Sequence, residues 1–164
     1  MIRFLKKLFF DAEFQRKKTF LKTLPIFEDL RDADLGRLAQ ALHARTYHAG
    51  ETIFLEGDIG RALFVLETGK VDLTKKDDSG GQRKIFAVGP GEFFGEMALL
   101  EQLPRTASAT AAERSRLYLL YRSKLDTLLS SQPRIGVTIM THLAQLLSAR
   151  LRKTSQAAMT ETPA

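Results

Sequence analysis

The sequence predicts an α+β domain: an antiparallel, jelly-roll-like β-roll flanked by N-terminal helices and by two C-terminal helices. Three observations predict it. Between Ala44 and Tyr121, short β-rich runs recur at near-regular spacing and are separated by glycine turns. On either side of that stretch the apolar residues fall at helical spacing instead. Strand-rich and helix-rich stretches are segregated along the chain, where an α/β sequence would alternate them.

Residues 2–12 read as a short amphipathic helix. Ile2, Phe4, Leu5, Leu8, Phe9 and Ala12 share one broad face, and Arg3, Lys6 and Lys7 the other, with Phe10 among them. After Glu13 the apolar positions Phe14, Phe20, Leu21 and Leu24 leave that stripe. Residues 1–23 are therefore expected to be a basic helical extension preceding a domain at 24–153. Pro25 confines Leu24 to extended or turn conformations. Asp32 to Arg45 has helical spacing at Leu35, Leu38, Ala39 and Leu42, with Asp32 or Asp34 as its expected cap.

The expected strands are Ala44–Tyr47, Glu51–Leu55, Ala62–Leu66, Val71–Thr74, Lys84–Val88, Thr106–Ala111 and Ser115–Tyr121. Turns such as Gly57-Asp58, Thr68-Gly69 and Ser79-Gly80-Gly81 divide them. Their inward faces are expected to hold Ile53, Phe64, Leu66, Ile85 and Leu119 in one small core. After Ser123, Leu125, Leu128 and Leu129 predict a short helix that stops at Gln132-Pro133. A second helix follows, with Ile135, Ile139, Met140, Leu143, Leu146, Leu147 and Leu151. Its stripe is wide enough to cover the roll and to touch a second copy of the chain, so a homodimer through this helix is one expectation. Residues 154–164 are small and polar and are expected to form a disordered tail.

Composition excludes several functions. The 164 residues contain no cysteine, which removes a disulfide framework, a thiolate metal site and a cysteine nucleophile. No apolar run approaches the roughly 20 residues of a membrane-spanning helix. The apolar start, Met1 to Phe10, is broken by Lys6-Lys7 and lacks a small-residue cleavage site, so it does not read as a secretory signal. A cytoplasmic location is expected. The net charge of +6 is uneven. Residues 1–24 carry seven Lys or Arg against two acids, a balance of +5, while residues 25–142 carry 15 against 16. A near-neutral middle argues against a nucleic-acid-binding core. The basic ends are expected to meet something negative.

The stretch from Gly89 to Ser108 carries the chemistry. Glu96 to Leu100 has helix-forming composition although it lies between two strands, and a helix start there presents unpaired N–H groups. Gly95 allows close backbone approach. Glu96 adds an acceptor-only carboxylate. Arg105 adds five fixed donors that suit phosphate oxygens. An acceptor for sugar hydroxyls beside a cationic fork fits a nucleotide whose ribose and phosphate lie close together.

Phe94-Gly-Glu-Met-Ala-Leu99 followed by Pro104-Arg-Thr-Ala-Ser108 resembles the phosphate-binding cassette of the cyclic-nucleotide-binding domain family, which includes protein kinase A regulatory subunits and the bacterial catabolite activator protein. Phe27-Glu-Asp-Leu30, Arg45-x-Tyr47-x-x-Gly-Glu51, Ile53-Phe-x-Glu-Gly-Asp58 and Leu63-Phe-Val-Leu-Glu-x-Gly69 extend the resemblance over roughly residues 24–153. It implies that Glu96 accepts a hydrogen bond from the ribose 2′-hydroxyl and that Arg105 pairs with the cyclic phosphate. It implies further phosphate donors in the N–H groups of Ala98 and Thr106, and Gly95 beneath the sugar. Met97 and Ala107 complete the expected contacts. Aligning Gln132-Pro133 with the start of the family's final helix places Arg150 or Leu151 over the base as a lid. A hydroxyl at Thr106 can meet the 2-amino group of guanine, so cAMP and cGMP both stand as ligands.

Other signals are weaker. Asp78-Ser-Gly-Gly81 is similar to a serine-protease fragment, but a hairpin loop explains it. Gly69-Lys70 lacks the spacing of a phosphate loop. His43, His48 and His142 are scattered. No enzyme, cofactor or metal is expected. Only a short stretch follows Lys153, too little for the helix-turn-helix of a transcription regulator, so DNA binding is disfavoured. Together these imply a stand-alone cyclic-nucleotide receptor acting through an effector protein. Its final helices would swing in to cap the base, and residues 2–22 would be free to meet an acidic partner or an anionic membrane surface. The alternative is a scaffold of the same fold that needs no nucleotide. Family members of that kind usually lose the cassette Arg or Glu, whereas Glu96 and Arg105 are both present here; the bland reading of those two residues is an ion pair that only stabilises a loop.

Overall fold

The computed structural model describes residues 2–160 apart from 78, 79 and 102, and of residues 2–10, 98, 99 and 157–160 it describes the backbone alone. Helices α1 (Ile2–Thr23) and α2 (Asp32–Ala41) precede the roll, separated by a 3-10 turn at Pro25–Phe27. The roll contains β1 (Leu42–Tyr47), β2 (Thr52–Phe54), β3 (Ala62–Thr68), β4 (Val71–Lys76), β5 (Gln82–Val88) and β6 (Phe93–Phe94), then a short helix α3 (Glu96–Glu101), β7 (Ser108–Ala111) and β8 (Ser115–Tyr121). Helices α4 (Arg122–Ser131) and α5 (Pro133–Thr160) close the chain. Two four-stranded antiparallel sheets result, in the orders β1-β8-β3-β6 and β2-β7-β4-β5. This is the α+β roll that the sequence predicts.

Strands β3, β6 and most of β8 in the first sheet are buried on both faces, and strand periodicity sorts their residues between them. Phe64, Leu66, Leu117, Leu119 and Phe94 face the second sheet, where Val71, Val88, Ala109 and Ala111 complete a core. Leu63, Val65, Phe93, Tyr118 and Leu120 face the helices and join Leu21, Phe27, Leu38, Leu125, Ile135, Ile139 and Leu143 in a second core. The single core expected from the sequence is thus two, because β3 and β8 are apolar at nearly every position. Ile85 is not inward but 48% exposed. The β4–β5 register jumps from Leu73–Phe86 to Thr74–Lys84, so Ile85 is the extra residue of a bulge. The inward positions of β5 are Phe86 and Val88.

Several expected boundaries are corrected. Helix α1 does not stop near Glu13 but continues to Thr23. Tertiary contacts carry its second half: Leu21 is fully buried, Phe14 and Phe20 pack on the helical core, and Lys17 donates to the Leu42 carbonyl at 2.7 Å. Arg16 pairs with Glu67 at 2.8 Å, and Arg116 reaches both Glu67 and Glu13. This half of the extension therefore packs on its own domain. The amphipathic faces expected for residues 2–10 lie outside the described side chains. Helix α2 ends at Ala41 rather than Arg45, because Leu42 already pairs with Leu120 in the sheet. Neither Asp32 nor Asp34 caps α2: its N-cap residue is Arg31, without a side-chain cap bond. Asp34 is instead gripped by Arg31 at 2.9 Å and Arg37 at 3.1 Å, which holds its carboxyl below the usual range. Helix α5 runs to Thr160, so residues 154–160 are helical rather than disordered, and 161–164 lie outside the described residues. Asp78 and Ser79 of the protease-like fragment also lie outside them. Among the described residues no helix is long and apolar enough to cross a membrane.

Candidate functional site

The candidate site forms where the chain leaves the first sheet at β6 and returns to the second at β7. Its backbone is clamped by the turn between β2 and β3. The Arg105 N–H donates to the Asp58 carbonyl at 2.7 Å, and the Gly57 N–H donates to the Arg105 carbonyl at 2.9 Å. Ile59 bridges Pro104, and Ser108 Oγ accepts from the Glu56 N–H at 2.9 Å. Three hydrogen bonds thus fix the segment before the side chains of Glu96 and Arg105 are considered.

Arg105 is 6% exposed. Its Nη1 donates to the Gly95 carbonyl at 2.7 Å and its Nη2 to the Ala62 carbonyl at 2.9 Å. The guanidinium lies over the Phe54 ring, 4.2 Å from the centroid, with Phe64 at 5.5 Å. Among the described residues no carboxylate comes within ion-pair distance of it. Burial lowers its pKa, and the more distant Glu96 and Asp58 charges oppose that shift. A guanidinium nonetheless stays protonated. The result is a fixed, desolvated cation held by two neutral carbonyls, which is an arrangement suited to an incoming anion.

Glu96 is 2% exposed and opens α3. It does not pair with Arg105. Its Oε1 accepts from Arg150 Nη1, and Arg150 Nη2 donates to the Phe93 carbonyl at 2.9 Å. Its Oε2 is buried with no hydrogen-bond partner among the described residues. Gly95, at φ 77°, turns the chain between Phe94 and Glu96, and a Cβ there would meet Arg105 Nη1 at 2.6 Å.

The structure therefore gathers Gly95, Glu96, Arg105 and Arg150 into one place. Thr106 and Met97 are exposed beside them, with Thr106 Oγ1 4.0 Å from Met97 Sδ, and Ala107 is buried. The side chain of Ala98 lies outside the described residues. Of the two lid candidates, Arg150 reaches the cassette but engages its carboxylate, while Leu151 is 68% exposed. Sequence reasoning missed the aromatic wall. Phe54 carries Arg105, and Phe86 stands 5.6 Å from the Arg150 guanidinium and 5.2 Å from Lys153 Nζ. The Ile53-Phe-x-Glu-Gly-Asp58 motif held the signal for Phe54. Phe86 had none, because its partner lies on α5. Among the described residues no group of three or more His, Cys, Asp or Glu could hold a metal ion.

Comparison with known proteins identifies the family to which the chain is similar. The sequence model of the cyclic nucleotide-binding domain matches residues 44–132. The chain is 36% identical over 133 residues to the cyclic AMP receptor protein of Thermus thermophilus, covering 81% of this chain and 60% of that one. It is 34% identical over 127 residues to the cAMP-dependent protein kinase regulatory subunit of Yarrowia lipolytica, covering 76% of this chain and 33% of that one. The chain thus spans less than two thirds of either relative. A solved cyclic nucleotide-binding domain from Methylobacillus flagellatus superposes with a TM-score of 0.81 at 27% identity, covering 94% of this chain and 86% of that one.

Proposed function

Because the chain belongs to the cyclic nucleotide-binding domain family, we propose that it is a receptor module for a cyclic nucleotide, cAMP before cGMP, that signals by moving its flanking helices against a partner. The preference for cAMP follows the names of the two relatives. One is a receptor and the other a regulatory subunit by name, and a receptor that performs no chemistry of its own fits that company.

One observation carries the reading: Arg105 is a buried guanidinium with two carbonyl acceptors and no counter-ion among the described residues. A cyclic phosphodiester would supply the missing charge and occupy the remaining donors. Glu96 would take the ribose 2′-hydroxyl, with the N–H groups of Ala98 and Thr106 as further phosphate donors. Thr106, exposed beside Met97, would read the base edge. Helix α5 would transmit occupancy, since Arg150 ties it to Glu96 and Phe93. The partner could be an effector protein or, through the basic first turns of α1, an anionic membrane surface.

A scaffold needing no nucleotide is favoured by one specific observation, that Glu96 already has a partner within the chain. Thermal-shift measurements with cAMP, cGMP and 5′-AMP separate the two readings. A ligand binding only the folded state stabilises it by about 2.7 kcal/mol at a hundredfold excess over Kd. A rise with a cyclic nucleotide and none with 5′-AMP supports the receptor; no rise with any nucleotide supports the scaffold. Leaving a buried charge unpaired costs about 3–5 kcal/mol. At about 1.4 kcal/mol per decade, Arg105→Ala should weaken cAMP by roughly two to three and a half decades in titration calorimetry. Unchanged affinity in the folded variant removes Arg105 from the phosphate site.

A further inference from the structure

We infer that the chain carries a second anion site, separate from the cassette: a cleft between α1 and the first sheet that takes a phosphoryl group on Arg16, Arg114, Arg116, Thr46 and Thr68. The inference goes beyond the receptor reading and does not depend on it. Strand β3 offers the Ala62 carbonyl to Arg105 at one end and Thr68 to the cleft at the other, roughly 20 Å away.

One row of residues across the sheet builds the floor. Thr46 of β1 pairs with Arg116 of β8, and Arg116 pairs with Thr68 of β3. Residues paired across neighbouring strands project from the same face, so two hydroxyls flank one guanidinium. That face also carries Tyr118 and Leu120 of β8, and α1 lies over it, with Phe20 against the Tyr118 ring. Arg16 of α1 and Arg114, in the turn before β8, complete a cleft of about 140 Å³ lined by these five residues. Its volume is well above what one water needs, and leaves room for a phosphoryl group with a few atoms attached.

Donors without acceptors converge there. The Arg114 guanidinium and the Thr46 and Thr68 hydroxyls make no hydrogen bond or ion pair among the described residues. Arg16 donates through Nε to Glu67 Oε1 at 2.8 Å, which leaves both of its Nη groups. Arg116 turns Nε to Glu67 Oε2 at 2.8 Å and Nη2 to Glu13 Oε2, which leaves Nη1. Neither Glu13 nor Glu67 lines the cleft. The Glu67 side chain is 8% exposed and acts from behind, holding two guanidinium groups by one edge each. Three guanidinium groups against two carboxylates leave an excess positive charge. Fixed forks beside hydroxyls match the tetrahedral oxygens of a phosphoryl group, a geometry that flexible lysines would not supply.

Two probes, both used with the full chain, separate a free phosphate ester from a lipid headgroup: glycerol 3-phosphate in solution, and vesicles of phosphatidylglycerol set against phosphatidylcholine. In amide NMR titrations, glycerol 3-phosphate should move the signals of Thr46, Thr68 and Arg114, and glycerol should move none. Arg114 is exposed and unpaired, so Arg114→Ala leaves the fold intact. It should weaken glycerol 3-phosphate by about ten- to a hundredfold in calorimetry, with Arg114→Lys between it and wild type. Lys124→Ala removes an equally exposed cation on α4 and should change nothing.

Signals that move only within residues 95–107 would put the anion on Arg105 and overturn the cleft. Equal weakening by Arg114→Ala and Lys124→Ala would do the same, because net charge alone would then explain the binding. If glycerol 3-phosphate fails to bind, and phosphatidylglycerol vesicles pellet wild type but not Arg114→Ala, the site stands and its phosphoryl group is a lipid's. Binding of neither probe, or binding indifferent to Arg114 with both, overturns the inference. The receptor reading survives each of these outcomes, since cyclic nucleotides test it at Arg105.

Discussion

Gly95 shows how narrowly the site is built. Its φ of 77° lies in the left-handed region, which costs an ordinary residue roughly 1–2 kcal/mol. Its missing Cβ also leaves room for a guanidinium, since a methyl group would stand 2.6 Å from Arg105 Nη1 and 3.2 Å from Phe64 Cδ2. Gly95→Ala should therefore act twice. Backbone strain should lower the midpoint of thermal unfolding by about 2–8 °C, at about 2–4 °C per kcal/mol for a chain of this size. Displacement of Arg105 should weaken cAMP by at least a further decade in calorimetry. A Gly95→Ala chain that binds like wild type would show that Arg105 does not need its present position. Gly95, Glu96 and Arg105 were legible in the sequence because one short segment carries all three, so their chemistry survives any uncertainty about packing. The Glu96–Arg150 pair was not legible. Its members are 54 positions apart, and the rotation of α5 over the roll is fixed by Ile135, Ile139 and Leu143 in a core that no local pattern describes.

Helix α1 poses a question that magnitudes decide. It is tied to the roll by a network of ion pairs among Arg16, Glu67, Arg116 and Glu13, and by the burial of Leu21. Arg16 is about half exposed, and pairs of that kind contribute roughly 0–1 kcal/mol. A fully buried leucine replaced by alanine costs about 2–5 kcal/mol. Apolar packing therefore fastens the helix, and the ion pairs set its rotation. Leu21→Ala should lose about 2–5 kcal/mol in urea unfolding, and Arg16→Gln less than about 1. Comparable losses in the two would reverse the ranking. A chain beginning at Lys22 would delete Leu21, so truncation there tests stability before it tests any partner. Most elements were readable because strand and helix periods leave a local imprint. The exceptions have local causes. Strand β6 is too short to show alternation, the bulge at Ile85 breaks the phase of β5, and the second half of α1 presents its stripe to a surface formed by residues far along the chain.

At the scale of the whole molecule, three layers meet at one dipeptide. Phe94 stacks on Phe64 between the sheets, with ring centroids 5.1 Å apart. Phe93 turns the other way and meets Phe27 at 6.4 Å and His142 of α5 at 4.9 Å, both edge-on. The cassette begins at Phe94 itself, so docking of α5, packing of the roll and shape of the site share a few side chains. His142 makes this junction sensitive to acid. Burial pushes its imidazole below its ordinary pKa, so the folded chain holds it neutral where the unfolded chain would already be protonated. Over the window from about pH 6.5 down to the depressed value, the unfolded state binds more protons, and stability must fall as pH falls. Asp34 acts in a separate window with a different origin. Its carboxyl is held low by Arg31, so it stabilises the fold above its unfolded value of about 3.9 and loses that contribution as pH drops through its folded value. Urea unfolding across pH should thus show two acid-sensitive regions. His142→Gln, neutral at every pH, should flatten the upper one and leave the lower one intact. Equal slopes between pH 7 and pH 5 in the two chains would mean that the imidazole takes up its proton without disturbing the contact with Phe93.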